Sequence, residues 1–118
     1  MYERMYKLNE IIEFFHDEEL KIISDERIEE MYNLISNPDI RVNDDDKQWV
    51  SFSSQNSEVE TVGEAIKEIL GYGDFRWIIE KDNIVAKINK VGNIFIENNI
   101  QMKPRIPFYI MVLNEVKD

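Results

Sequence analysis

The sequence predicts an α+β fold, with N-terminal helices plus one short helix packed on a small antiparallel sheet. Apolar residues recur at helical spacing in the first third of the chain and again between residues 61 and 70. Short apolar segments separated by turn-forming residues fill the second half, which is typical of antiparallel strands. Helices followed by a run of strands indicate the α+β class. At 118 residues, the chain is expected to form a single globular domain spanning 1–118.

Two helices are predicted in the N-terminal third. Asn9 is the expected N-cap of the first, in which the apolar residues lie opposite acidic ones. Ser24 is expected to cap the second, and Asn37-Pro38 to end it, because the residue before a proline avoids the helical region. The apolar stripe of the second helix has i, i+3, i+4, i+7 spacing and consists of Ile28, Met31, Tyr32 and Ile35.

Two short strands and a helix are predicted in the middle of the chain. The strands are Arg41-Val42 and Gln48 to Ser53, with a turn-forming run between them at residues 43–46. A capping-box spacing, Thr61-Val62-Gly63-Glu64, predicts the start of a short helix that runs to Leu70. Gly71 is expected to end it in the left-handed conformation.

The remaining segments predict an antiparallel meander. Its strands would be Phe75 to Glu80, Ile84 to Asn89, Ile94 to Glu97 and Ile106 to Leu113, with turns at 81–83 and 91–93. Residues 84–91 also fit a helix, and the pattern does not separate the two. The predicted core of the whole domain is Ile28, Met31, Tyr32, Ile35, Ile66, Ile69, Trp77, Ile79, Phe95 and Ile110.

Composition excludes several kinds of site. The chain has no cysteine, so disulfides, cysteine-based zinc sites and thiol catalysis are excluded. The N-terminus lacks the pattern of a signal peptide, and no apolar run approaches the ~20 residues that cross a bilayer. We therefore expect a cytoplasmic protein.

No motif predicts catalysis, a cofactor or a metal. Asp44, Asp45 and Asp46 are consecutive, whereas a calcium loop needs alternating ligands, a glycine and a distal glutamate. Gly71-Tyr72-Gly73 follows a helix and lacks the third glycine of a dinucleotide fingerprint. His16 is the only histidine and has no evident nucleophile. The serines near residue 53 lack the spacing of a nucleophilic serine motif.

The net charge of −10 is confined to one half of the chain. Residues 1–60 contain 16 acidic and 6 basic side chains, whereas residues 61–118 contain 8 of each. Such a field repels nucleic acid and anionic membranes, and it attracts basic proteins. The carboxylates form either a solvated surface or a recognition surface. If they form a recognition surface, the expected partner-binding residues are Glu26, Glu29, Glu30, Asp44, Asp45 and Asp46.

These observations predict a non-catalytic, acidic protein-binding inhibitor. Its expected partner is a basic enzyme that acts on nucleic acids, such as a ribonuclease toxin or another nuclease, whose phosphate-binding cleft an acidic surface can fill. Antitoxins, immunity proteins and phage anti-defence proteins are of this type. The abundance of Ile, Asn and Lys, with alanine only at Ala65 and Ala86, is common in low-GC bacteria and their phages. The alternative is a small virion, assembly or other structural interaction module.

Overall fold

Five α-helices and one very short strand pair make up the described structure, a computed structural model that covers residues 8–18, 20, 23–36, 49–50, 59–100 and 103–117. The helices are α1 (Leu8–Asp17), α2 (Asp25–Ser36), α3 (Val59–Leu70), α4 (Asp74–Glu97) and α5 (Arg105–Val116). The strands are β1 (Trp49–Val50) and β2 (Lys103–Pro104), which pair antiparallel with Trp49 opposite Pro104 and Val50 opposite Lys103. The predicted α+β fold is therefore wrong, because this part of the chain is otherwise helical.

The largest correction concerns α4. The two predicted strands Phe75 to Glu80 and Ile84 to Asn89, the strand Ile94 to Glu97, and both turns between them are one continuous helix of 24 residues. Its buried side chains include Ile84, Ile88, Val91 and Phe95, whose spacing of 4, 3 and 4 residues is helical. Residues 84–91, whose pattern fits both a strand and a helix, are therefore helical. Asn83 and Gly92, which suggested turns, lie inside this helix.

The predicted strand Ile106 to Leu113 lies within helix α5. Seven consecutive residues, 107–113, are buried in this helix. A helix that is apolar all round has no polar face, so its sequence lacks the amphipathic period that would distinguish it from a buried strand. Pro107 lies in the first helical turn, where its missing N–H leaves no intrahelical hydrogen bond unmade.

The N-terminal helices agree better with the sequence. The Arg27 backbone N–H donates to Ser24 Oγ at 3.2 Å, which confirms Ser24 as the N-cap of α2. This helix ends at Ser36, immediately before the predicted stop at Asn37-Pro38. Helix α1 begins at Leu8, so Asn9 is not its N-cap. The predicted strand Arg41-Val42 lies outside the described residues.

Helices α3 and α4 form a hairpin joined by residues 71–73. Helix α3 begins at Val59, two residues before the predicted capping box, and ends where expected. Gly71 has φ +70°, which glycine adopts without steric cost. The Gly71 N–H donates to the Glu68 carbonyl and the Tyr72 N–H to the Lys67 carbonyl, which is a Schellman motif. Inside the hairpin, Gly63 faces the indole of Trp77.

Helix α5 lies at the centre of the bundle. It contacts each of the other four helices as well as both strands, and the buried residues of all five helices form one hydrophobic cluster. Aromatic rings connect three of these helices edge to face. The ring centroids of Phe14 and Phe95 are 6.4 Å apart, and those of Phe95 and Phe108 are 5.3 Å apart.

Seven of the ten predicted core residues are buried, and Tyr32 and Ile35 are partly buried. The assignment of Ile79 to the core is wrong, since its side chain is 63% exposed. Its place in the predicted core came from strand alternation with Trp77, because residues two apart share a face of a sheet. In a helix, each residue turns by about 100°, which puts Trp77 and Ile79 on nearly opposite faces.

A proline substitution distinguishes the continuous α4 helix from the predicted turn at residues 81–83. Asn83→Pro should destabilise the protein by about 3 kcal/mol or more, because proline in a helix interior removes a hydrogen bond and clashes with the preceding turn. Asn83→Ala is the matched control and should be neutral or stabilise by roughly 0.5 kcal/mol, since Asn83 is exposed. Urea unfolding of the two variants measures both effects. Equal stability of the two would mean that residue 83 is not inside a helix.

Candidate functional site

The predicted acidic residues of α2 are displayed on the surface. Glu26, Glu29 and Glu30 are all exposed, and they are neighbours on one side of the helix at i, i+3 and i+4. Among the described residues 8–36, eight carboxylates and one guanidinium give a net charge of −7. We call the exposed carboxylates of α1 and α2 the acidic face: Glu13, Asp17, Asp25, Glu26, Glu29 and Glu30.

The single basic side chain of the acidic face is used internally. Arg27 Nη1 donates to Glu30 Oε1 at 2.7 Å, and Arg27 Nε donates to Asn114 Oδ1 of α5 at 2.7 Å. Arg27 thus fixes Glu30 and connects α2 to the central helix. Neither Glu26 nor Glu29 forms an ion pair with any residue in the described part of the chain. These two carboxylates are therefore available to a partner.

His16 joins the two helices of the acidic face. Its Nε2 lies 2.7 Å from Asp25 Oδ1, so the end of α1 is held beside the start of α2. Both side chains are more than half exposed. The histidine has a structural contact here, and this contact places the carboxylates of α1 next to those of α2.

The other half of the predicted binding site, Asp44, Asp45 and Asp46, lies outside the described residues, as does the whole serine cluster near residue 53. Within the described ranges, no group of three or more His, Asp or Glu residues could hold a metal ion. No helix in the same ranges is long and apolar enough to span a bilayer.

A second surface feature was not predicted from the sequence. Four large apolar side chains of the described chain are exposed, and all of them lie on α4: Phe75 (80%), Ile78 (76%), Ile79 (63%) and Ile96 (47%). They were assigned to strands, where they would have been half-buried. The helical spacing of Trp77, Ile84, Ile88, Val91 and Phe95 is the signal that could have revealed them. Those five residues already complete the core face, which leaves the other four on the outside.

Polar contacts hold the α3–α4 hairpin beside these exposed residues. Lys67 Nζ donates to Asp74 Oδ1 at 2.8 Å, and the Arg76 guanidinium lies 4.3 Å from the centroid of the Tyr72 ring. The hydrogen bond between Lys67 and Asp74 raises the pKa of the lysine and lowers the pKa of the aspartate. The segment Gly71-Tyr72-Gly73 is therefore a clamped helix–helix turn, and Gly73 is the N-cap of α4.

Among the described residues, one charged side chain is buried. Arg105, at the start of α5, is 3% exposed, and its guanidinium lies 5.9 Å from the centroid of the Tyr109 ring. The sequence did not single out this residue, because one arginine before an apolar run has no distinctive pattern. Its position within the core at β2 and α5 indicates a structural role.

Comparison with known proteins identifies no relative. No protein-family model matches the chain, and no curated protein or solved structure matches it either.

Carboxylates concentrated on α1 and α2 should destabilise the fold through mutual repulsion. We expect the thermal midpoint near neutral pH to rise with NaCl, because salt screens repulsion between exposed charges. A gain of about 1 kcal/mol would raise the midpoint by roughly 4 °C. Differential scanning calorimetry between low and 0.5 M NaCl measures this, with Glu26→Gln/Glu29→Gln expected to show a smaller rise. A midpoint independent of NaCl would show that the carboxylates are already compensated locally.

The contact between Lys67 and Asp74 predicts a pKa change. Lys67→Gln should raise the pKa of Asp74 toward the ordinary value of about 3.9, because it removes both the hydrogen bond and the positive charge. A lowered folded-state pKa stabilises the fold at neutral pH, and this stabilisation disappears as the pH falls through that pKa. NMR titration of the Asp74 carboxyl carbon measures the change. Lys87→Gln, ~20 Å further along α4, is the charge-matched control and should leave the pKa where it is.

Proposed function

We propose that this protein is a non-catalytic inhibitor, acting in the cytoplasm, that binds a basic nucleic-acid-handling enzyme through the acidic face. The observation that carries the proposal is the net charge of −7 over the described residues 8–36, whose only described lysine or arginine is already bonded to Glu30 and Asn114. An exposed surface of this kind matches a cleft that normally holds phosphates. Glu26 and Glu29 within it form no ion pairs with the described residues.

Two side-chain contacts hold the helices of the acidic face in position. Its two helices are joined by the bond between His16 and Asp25, and α2 is joined to the central helix by the bond between Arg27 and Asn114. A preorganised surface loses less conformational entropy on binding than a flexible acidic segment would. Binding would block the enzyme by occupying the site of its nucleic acid, and no chemical step is needed from the inhibitor.

A second candidate function, a structural or assembly module, is favoured by one observation. Helix α4 exposes four large apolar side chains, which a helix surface that only contacts water does not require. Contiguous exposed apolar surface marks interaction sites. This surface lies on a different helix from the acidic face, so the two features call for separate tests.

The test of the inhibitor proposal begins with affinity capture from the native host and continues with the captured protein itself. We expect a basic enzyme whose activity on nucleic acid falls when this protein is added. Glu26→Gln/Glu29→Gln/Glu30→Gln should slow association roughly tenfold at low salt and much less at 0.5 M salt, because steering between opposite charges is screened. Stopped-flow fluorescence measures these rates.

The matched control for this variant is on α3. Glu60, Glu64 and Glu68 are also exposed, and Glu60→Gln/Glu64→Gln/Glu68→Gln changes the net charge by the same three units. It should alter association far less. A further variant, Asp44→Asn/Asp45→Asn/Asp46→Asn, tests whether the predicted turn contributes. If the α2 and α3 variants slow association equally, binding depends on net charge and not on the acidic face. A captured protein with an acidic or neutral contact surface would refute the proposal.

A further inference from the structure

The outer side of α4 has the chemistry of a helix that pairs with another helix. We call the outer stripe the seven exposed residues that follow one another at alternating spacings of four and three: Phe75, Ile79, Asp82, Ala86, Asn89, Asn93 and Ile96. This spacing is that of a two-stranded coiled-coil seam. Any outward helix face has such positions, so the informative point is which residues fill them. Apolar residues stand at both ends, and the small Ala86 stands in the middle.

We propose that this protein forms a two-fold symmetric dimer in which α4 packs antiparallel against α4 of a second copy along the outer stripe. The proposal concerns α4, a different helix from the two that carry the acidic face, and does not depend on the inhibitor proposal. Helix α4 packs on α3 and α5, whereas α2 packs on α1, α3 and α5.

Electrostatics restricts the surface through which a second copy can bind. Two chains with a net charge of −10 each repel, so they can approach only through a surface that is not acidic. Helix α4 has four acidic and four basic side chains and is neutral overall. It is also 24 residues long, or about 36 Å, which is close to the longest dimension of the protein at 39 Å. It therefore offers the longest neutral contact that the described chain possesses.

The antiparallel register brings complementary residues together. With the two-fold axis between residues 87 and 88, Ile79 of each copy lies level with Ile96 of the other. Phe75 lies one helical turn beyond Ile79, at the same end of the interface. Asp82 then lies level with Asn93, whose amide can donate to the carboxylate, and Ala86 lies level with Asn89. Polar residues within a seam define register and orientation at some cost in affinity.

Charge outside the seam supports the same register. Arg76 of one copy lies about 3 Å along the axis from the level of Glu97 of the other, and two-fold symmetry makes this contact twice. Both side chains are exposed. A parallel pairing in register would instead place Asp82 of one copy opposite Asp82 of the other, and it would separate Arg76 from Glu97. The antiparallel arrangement is therefore the one that matches charge along α4.

Analytical ultracentrifugation of the full chain tests the dimer. We expect the wild type to dimerise with a dissociation constant roughly in the micromolar range, as small interfaces do. Ile79→Glu should raise that constant at least about a hundredfold, because two isoleucines lose their burial. Its fold should be unchanged by circular dichroism, since Ile79 is 63% exposed. Asn33→Glu adds the same charge on α2 and should leave the dimer intact.

A charge exchange tests the register. Arg76→Glu and Glu97→Arg should each weaken the dimer alone, because both symmetric contacts become repulsive. Mixed in equal amounts, the two variants should form heterodimers, in which both contacts are attractive again, and native mass spectrometry would detect them. Lys81→Glu mixed with Glu64→Arg carries the same charges elsewhere and should show no such preference.

Each alternative result overturns a defined part of the proposal. A wild type that stays monomeric up to ~1 mM refutes the dimer and leaves the outer stripe to an unrelated protein. A dimer that survives Ile79→Glu places the interface elsewhere, and mixed variants that do not associate refute the antiparallel register. The inhibitor proposal is separable, because Ile79→Glu should leave binding to the captured enzyme unchanged, and the α2 variant should leave the dimer unchanged.

Discussion

The burial of α5 on every side is the constraint on which the rest of the structure depends. A helix with seven consecutive buried residues can exist only where neighbours cover all of its surface, and the other four helices and the strand pair provide that cover. Phe108 of α5 meets Phe95 of α4, which in turn meets Phe14 of α1. Because each outer helix is amphipathic and rests on this centre, its opposite side is left to solvent or to partners.

The outer helices divide the surface into two chemically different sides. The α1–α2 pair exposes carboxylates, and its single described cation is consumed by internal hydrogen bonds. Helix α4 exposes apolar residues among balanced charges. The physical consequence is that one side attracts basic surfaces from a distance, whereas the other can act only at contact, where apolar burial outweighs the repulsion between two acidic molecules.

Two short structural devices hold these sides in place. At the α3–α4 turn, Gly71 adopts the left-handed conformation, and the bond between Lys67 and Asp74 closes the hairpin. Arg27 connects α2 to Asn114 of α5. Such exposed or half-exposed polar contacts contribute little free energy each. They connect α3 to α4 and α2 to α5, whereas the apolar cluster around α5 determines which residues each helix buries.

The sequence by itself determined the features that depend on local chemistry. Ser24 as N-cap, the stop before Asn37-Pro38, the left-handed Gly71, the stripe that buries Ile28 and Met31, and the exposure of Glu26, Glu29 and Glu30 all follow from neighbouring residues. Only the tertiary structure decided that the apolar segment 106–113 is a helix and that residues 75–97 form one helix without the predicted turns. A buried strand and an all-round buried helix share the same continuous apolar pattern, and turn-forming residues such as Asn83 tolerate a helix when packing stabilises it. The choice of helix then determined that Trp77 is buried and Ile79 is exposed, because the backbone twist between them differs between the two structures.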